Sequence, residues 1–184
     1  MLSKPLQQQL LGIARDSILK GFETKKSFLP KLEDYPAPLQ EKRAVFVTLK
    51  IDSLLRGCIG TLEANQSLVE NVAHYAYRAA FNDPRFKPLD RGEFDDIKIS
   101  ISILSPGEEI QFTSESDLIN QLQPGTDGLI IEKDASRATF LPSVWESIAN
   151  AKDFLLQLKK KANIPAYETP TSAWRYHADL IQED

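Results

Sequence analysis

Residues 44–61, AVFVTLKIDSLLRGCIGT, decide the fold class of this chain. Residues 44–51 are β-branched and apolar enough for a strand, and Asp52-Ser53 offers a turn into a second strand over residues 54–61. The pair is predicted to form an antiparallel hairpin. Because parallel strands need long crossover connections, this hairpin favours a mainly antiparallel or mixed sheet over a doubly wound fold.

The rest of the chain mixes strands and helices without strict alternation. Residues 95–104, DDIKISISIL, alternate isoleucine with polar residues and predict a half-buried strand. Residues 128–133 and 137–142 predict a second hairpin. Helices are predicted over residues 5–22, from near 68 to about 82, over 115–122 and over 151–162. We therefore expect an α+β fold, with a sheet flanked by helices, in a single domain over residues 1–184.

The composition excludes several classes of protein. The net charge is −4 with both signs interspersed, whereas a general nucleic-acid binder usually carries a basic patch. No apolar run approaches the roughly 20 residues that span a membrane, and the N-terminal segment lacks the apolar centre of a signal peptide. A single cysteine excludes an internal disulfide and fits a reducing compartment. We expect a cytoplasmic protein that binds neither nucleic acid nor membranes.

The only cysteine, Cys58, lies in the second strand of the first hairpin, between Gly57 and Gly60. Because residues two apart share a strand face, Arg56, Cys58 and Gly60 are predicted to point away from the core together. A nearby cation favours the thiolate, which is the reactive form of cysteine. The alternative is a small buried hydrophobe. The two glycines either adopt unusual backbone angles or admit a close approach.

Three more residues are site candidates. His74 lies on the helix after the cysteine strand and is a candidate base for Cys58, or else a solvated residue on a polar helix face. Asp83 and Arg85 flank Pro84 where that helix ends. They either lock the turn or line a site, where Arg85 would bind an acid or an anionic ligand. No cysteine or histidine spacing of a metal site and no phosphate-binding glycine motif occurs, so no metal or cofactor is predicted.

Seven blocks of sequence carry a family resemblance over roughly residues 45 to 162. In order they are FVTL (46–49), LRGCIGTLE (55–63), AYRAAFNDPRF (76–86), ISISILS (99–105), PGTDGLIIE (124–132), ATFLPSVWE (138–146) and FLLQLKKKA (154–162). With these blocks the chain resembles the AMME chromosomal region protein family, of the AmmeMemoRadiSam system protein A type. The matching signature positions are Arg56, Gly57, Cys58, Ile59 and Gly60, followed by Asp83, Arg85 and Phe86.

The resemblance implies an α+β fold with two closely packed subdomains. We expect the smaller subdomain, if separate, to be built from the segments around 23–43 and 106–142. The resemblance also implies association with a Memo-like protein and a radical S-adenosylmethionine enzyme, but it supplies no settled activity.

Two functional hypotheses follow. The first is an enzyme or accessory subunit with Cys58 as nucleophile or covalent carrier, Arg56 stabilising the thiolate, and Asp83 and Arg85 lining the cleft. The second is a non-catalytic module that docks a partner through the LRGCIG surface, with Gly57 and Gly60 admitting a neighbouring backbone.

Overall fold

The computed structural model describes residues 2–183 and confirms the α+β fold. Within this range the strands form two four-stranded sheets. The helices are α1 (Lys4–Thr24), α2 (Ala37–Gln40), α3 (Leu68–Phe81), α4 (Glu115–Gln121) and α5 (Ala151–Lys161). The strands are β1 (Val45–Ile51), β2 (Leu54–Gly60), β3 (Lys98–Leu104), β4 (Glu108–Glu109), β5 (Gly128–Lys133), β6 (Ser136–Phe140), β7 (Ser172–Tyr176) and β8 (Ala178–Gln182).

The chain divides into two compact units. The first comprises residues 2–104 and 179–183, and the second comprises Ser105–Ala178. The second unit therefore contains the predicted segment 106–142. Residues 23–43 lie in the first unit instead, because Leu39 and its neighbours bury their apolar side chains in the core of that unit.

The first unit has a sheet of strand order β2-β1-β3-β8, with β1 antiparallel to both of its neighbours. Helix α3 begins with the predicted capping box, in which Ser67 and Glu70 satisfy each other's backbone N–H groups. The helix ends at Phe81 and is capped by Asn82, two residues before Pro84. Its apolar stripe and that of α1 are buried together with one face of the sheet.

The two faces of this sheet differ in chemistry. Along β1, Val45, Val47 and Leu49 are fully buried in the core, while Phe46 and Thr48 alternate with them on the opposite face. The register of the three strands places six residues on that opposite face, which we call the polar face: Phe46, Thr48, Cys58, Gly60, Ser100 and Ser102. The site candidate Cys58 thus lies on the face that does not pack against helices α1 and α3.

The second unit has its own sheet and its own core. The strand order is β4-β7-β5-β6, and β5 and β6 form the predicted hairpin. The centre of the core is a stacked pair of rings, Trp145 and Phe154, whose centroids are 3.7 Å apart. Lys159 is fully buried, and its ammonium group donates to the Glu115 carboxylate at 2.5 Å and to the carbonyl of Ala166 at 2.6 Å.

The C-terminal strands β7 and β8 were not predicted from the sequence. Strand β7 pairs with β4 and β5 in the second unit, and β8 joins the edge of the sheet in the first unit next to β3. Across residues 2–183 no helix combines the length and apolar character that crossing a membrane requires.

Candidate functional site

The hairpin of β1 and β2 contains a bulge that decides where Cys58 points. The turn residues Asp52 and Ser53 both have positive φ angles, of 49° and 66°. Two pairs follow the turn in simple register, and the register then shifts by one residue at Arg56. The pairs are Ile51 with Leu54 and Lys50 with Leu55 before the shift, then Leu49 with Gly57 and Thr48 with Cys58 after it. Arg56 is therefore the extra residue of the bulge.

Cys58 is half-buried and has partners on three sides. The Thr48 hydroxyl donates to the Cys58 sulfur, with Oγ1 and Sγ 3.2 Å apart. The backbone N–H of Cys58 donates to Asp83 Oδ2 at 2.8 Å, and its carbonyl accepts from Arg85 Nη2 at 3.1 Å. Because β2 is an edge strand, these last two bonds satisfy backbone groups that no neighbouring strand pairs.

Asp83 and Arg85 form a clamp on the edge of β2. The Asp83 carboxylate is 2% exposed and accepts from Arg85 Nη2 at 2.7 Å and from Arg85 Nε at 3.0 Å. The hydrogen bond from the Arg85 side chain, supported by the backbone N–H groups of Cys58 and Arg85, lowers the pKa of Asp83 to about 2. The predicted lock of the turn is therefore present, and Asp83 is a buried anion inside it.

Arg85 also supplies the cation near the thiol. Its side chain is 55% exposed, and its pKa is raised mainly by the hydrogen bond to Asp83, with a smaller electrostatic contribution from Cys58. Nη1 of Arg85 makes no hydrogen bond to the residues between 2 and 183. This nitrogen remains available to a ligand.

The prediction placed Arg56 beside the thiol, whereas the structure binds it to Glu93. Nε and Nη2 of Arg56 donate to the two carboxylate oxygens of Glu93 at 2.7 and 2.8 Å, and Nη1 donates to the carbonyl of Lys87 at 3.0 Å. The hydrogen bond to Glu93 raises the pKa of Arg56. The bulge explains the difference, because the extra residue breaks the alternation on which the shared face of Arg56 and Cys58 depended.

His74 is not brought to Cys58. It is exposed on α3 and lines a cleft together with residues that follow α1. Gly57 faces α3, since a Cβ atom there would run into the carbonyl oxygen of Ala79, and Cys58 points to the opposite face of the strand. Partial burial, and secondly the charge of Arg78, lower the pKa of His74.

The two glycines of the motif are required by contacts within the first unit. At Gly57 any side chain would collide with the backbone of α3, which lets the helix pack closely on the sheet. At Gly60 a Cβ atom would collide with the carbonyl of Val45 and the ring of Phe46. These contacts account for both glycines without the backbone of a partner.

Sequence reasoning missed Thr48 and Glu93, the direct partners of Cys58 and Arg56. Thr48 could be found only from the shifted register, whereas Glu93 is brought close by the turn after α3. Within residues 2–183 no cluster of three histidine, cysteine or carboxylate side chains could hold a metal ion.

Comparison with known proteins gives a consistent assignment. A model of the AMMECR1 family matches residues 11–181. A protein of Methanothermobacter thermautotrophicus is 35% identical over 192 residues, which cover 100% of this chain and 97% of that protein. A protein of Methanopyrus kandleri is 36% identical over 166 residues, covering 85% of this chain and 76% of the other.

The fold is also similar to a solved structure. The crystal structure of an uncharacterized protein from Pyrococcus horikoshii superposes with a TM-score of 0.92 at 31% identity, covering 100% of this chain and 94% of that one. The matched family region contains the bulged hairpin, the Asp83–Arg85 clamp and both sheets apart from the last residue of β8. On this match, the chain belongs to the AMMECR1 family.

Proposed function

We propose that the protein acts through the thiol of Cys58, as the nucleophile or covalent acceptor of an enzyme or of an enzyme's accessory subunit. The proposal rests on the groups that surround Cys58. The Thr48 hydroxyl lies 3.2 Å from the sulfur, and the exposed guanidinium of Arg85 binds the carbonyl of the same cysteine.

These neighbours suit a thiolate. A cation and a hydroxyl donor both stabilise negative charge on sulfur, and the thiolate is the form that attacks an electrophile. The described part of the chain brings no histidine to the sulfur, so the thiol proton would leave to solvent rather than to a neighbouring base. Nη1 of Arg85 would bind an anionic group on the electrophile, which defines the substrate class as an electrophile carrying a carboxylate or phosphate.

The test is the alkylation rate of Cys58 in the folded protein with iodoacetamide at pH 7. We expect modification without denaturant, and a rate several-fold lower in Arg85→Gln because a cation near the sulfur is lost. Arg56→Gln is the matched control, since Arg56 is bound to Glu93, and its rate should equal that of the parent. A thiol that reacts only after denaturation, or equal rates in Arg85→Gln and the parent, would refute the proposal.

Arg85→Gln also loses its hydrogen bonds to Asp83, so the fold must be verified in the same samples. Circular dichroism at the temperature of the assay should match the parent. Thr48→Val provides an independent variant, because it removes the hydroxyl that donates to the sulfur and keeps the shape of the side chain. A changed alkylation rate in this variant, with an unchanged melting temperature, would support the assignment.

A second candidate function is docking of a Memo-like protein or a radical S-adenosylmethionine enzyme at the LRGCIG hairpin. The observation in its favour is that β2 is an edge strand whose tip exposes apolar side chains, with Leu54 73% and Leu55 41% exposed. Such a tip offers apolar surface that a partner can cover, outside the part of the edge that Asp83 and Arg85 occupy.

Purified candidate partners can separate the two functions. If docking is the function, Cys58→Ser keeps complex formation and activity, while Leu54→Asp abolishes both. If the thiol is the function, Cys58→Ser loses activity with binding intact. Replacement of Gly60 is unsuitable for this test, because a side chain there would collide with Val45 and disturb the strand itself.

A further inference from the structure

A second concave site lies in the first unit, on the helical side of its sheet. The cleft has a volume of about 770 Å³ and is lined by α3 and by the segment that follows α1. The lining residues used below are Lys25, Lys26, Leu29, His74, Tyr77 and Arg78. The site assigned to Cys58 uses none of them.

The wall of this cleft is held by contacts between α1, the residues that follow it and α3. Gly21 on α1 has no side chain where the rings of Tyr77 and Phe81 pack against it. The Tyr77 hydroxyl then donates to the carbonyl of Lys25 at 2.7 Å, where the chain leaves α1 in a left-handed conformation with φ of 57°. These contacts place Lys25 and the residues after it over the exposed side of α3.

The charged side chains that line the cleft are all cations. Lys25, Lys26 and Arg78 line it, no carboxylate does, and none of the three makes an ion pair within the described residues 2–183. His74 lies beside Arg78, whose charge contributes to lowering the pKa of His74. The C-terminal ends of α1 and α3 each add about half a negative charge, which leaves the three cations in clear excess.

We propose that this cleft binds a small anionic ligand, one that carries a phosphate or carboxylate next to an apolar or aromatic group. The anion would be held by Arg78 and the two lysines. The apolar part would lie against Leu29 and the ring of Tyr77.

Leu29 is the reason to expect an apolar group. Its side chain is 82% exposed at the mouth of the cleft, where an isolated polar anion would leave it in water. An arginine beside two lysines suits a phosphate or carboxylate, because charge-assisted hydrogen bonds to these groups are short and strong. A ligand with both parts would cover the leucine and neutralise the cations at once.

The test is a titration of the whole protein with phenyl phosphate, followed by the NMR signals of the His74 ring and the Leu29 methyl groups. We expect saturable shifts at both residues, and weaker binding of inorganic phosphate and of phenol, each of which has one of the two parts. Benzoate as a further ligand distinguishes a carboxylate from a phosphate site. Absence of saturable shifts with both phenyl phosphate and benzoate would overturn the proposal, as would phenol binding as tightly as phenyl phosphate.

Three variants locate the binding. Arg78→Gln should weaken phenyl phosphate by about tenfold, the usual order for loss of one charge-assisted hydrogen bond. Leu29→Ser should weaken phenyl phosphate but leave inorganic phosphate unchanged. Lys50→Gln, an exposed cation on β1, is the control and should bind like the parent. Equal weakening in Arg78→Gln and Lys50→Gln would show a general charge effect and contradict the assigned site.

Discussion

The carboxylate of Asp83 accepts a 2.8 Å hydrogen bond from the backbone N–H of Cys58, and this bond joins the turn after α3 to the edge of the sheet. The same carboxylate is bound by the Arg85 side chain. Asp83, which the sequence offers as a turn lock or as a residue lining a cleft, therefore holds the position of the cysteine backbone. The first prediction concerns this bond.

Asp83→Asn should lower the free energy of unfolding at pH 7 and remove a pH dependence. The pKa of Asp83 is about 2 in the folded protein and near 3.9 when unfolded. Because the folded value is depressed, the stabilisation is complete above about pH 4 and is lost as the pH falls through 2. Asp83→Asn should lower the free energy of unfolding at pH 7 by about 1–2 kcal/mol, after allowance for solvent screening at the exposed Arg85.

Urea denaturation at pH 7 and at several pH values between 4 and 2 measures this effect. Asp95→Asn, which changes an exposed aspartate, is the control and should keep the pH dependence of the parent. An Asp83→Asn protein whose stability falls between pH 4 and 2 as steeply as that of the parent would argue against a buried anion at this position.

Arg56 and Glu93 should behave as a structural pair. Arg56→Ala and Glu93→Ala each remove one partner of a two-pronged ion pair that is only partly exposed. In the double variant the loss of unfolding free energy should be smaller than the sum of the two single losses. The difference is the coupling energy, which should be about 1 kcal/mol. A double-mutant cycle by urea denaturation gives this number. Strict additivity would mean that the pair contributes nothing to stability.

Two glycine substitutions should have opposite effects. Gly57→Ala places a Cβ atom against the backbone oxygen of Ala79 and should destabilise the fold by about 2–3 kcal/mol. Gly12→Ala lies in α1 with open space around it and should stabilise the protein by up to about 1 kcal/mol. Thermal unfolding of both variants checks this.

The Gly57→Ala effect should persist when Ala79→Gly is added, because the colliding atom belongs to the backbone. Full recovery of stability in that double variant would show that the contact arises from the Ala79 side chain instead.

The buried Lys159 of the second unit should tolerate an apolar replacement better than the loss of its partner. Lys159→Met removes a charge that is 0% exposed together with its desolvation cost, so the change in stability should be small or favourable. Glu115→Ala leaves the ammonium group without its carboxylate and should cost about 3 kcal/mol. Denaturation of the two variants should rank them in this order, and the reverse order would refute the argument.

Most elements of the fold could be predicted because their signals are local. The alternating isoleucines of β3, the capping box of α3 and both hairpins carry their own periodicity or turn residues. Strand β7 lacks such a signal. Its buried residues, Ala173 and Tyr176, are three positions apart rather than two. Its strand conformation therefore depends on pairing with β5 and not on its own sequence pattern.

The site was harder to predict than the fold because Arg56 is the extra residue of a bulge. Counting outward from the Asp52-Ser53 turn pairs Val47 with Cys58, and the shift at Arg56 replaces this pair with Thr48 and Cys58. The residue types in this segment do not indicate a bulge. The partner of Arg56, Glu93, comes from a turn whose path is set by tertiary packing, whereas the partner of Arg85 is Asp83, two residues away in the sequence.

The bulge sets the face of the sheet on which the sulfur lies. If Arg56 were paired instead of left out of the ladder, every later residue of β2 would move by one position, and Cys58 would lie opposite Val47, whose side chain is buried in the core. Deleting the residue at position 56 would remove the bulge and still leave Thr48 opposite Cys58, so we expect that deletion to keep the sulfur on its present face.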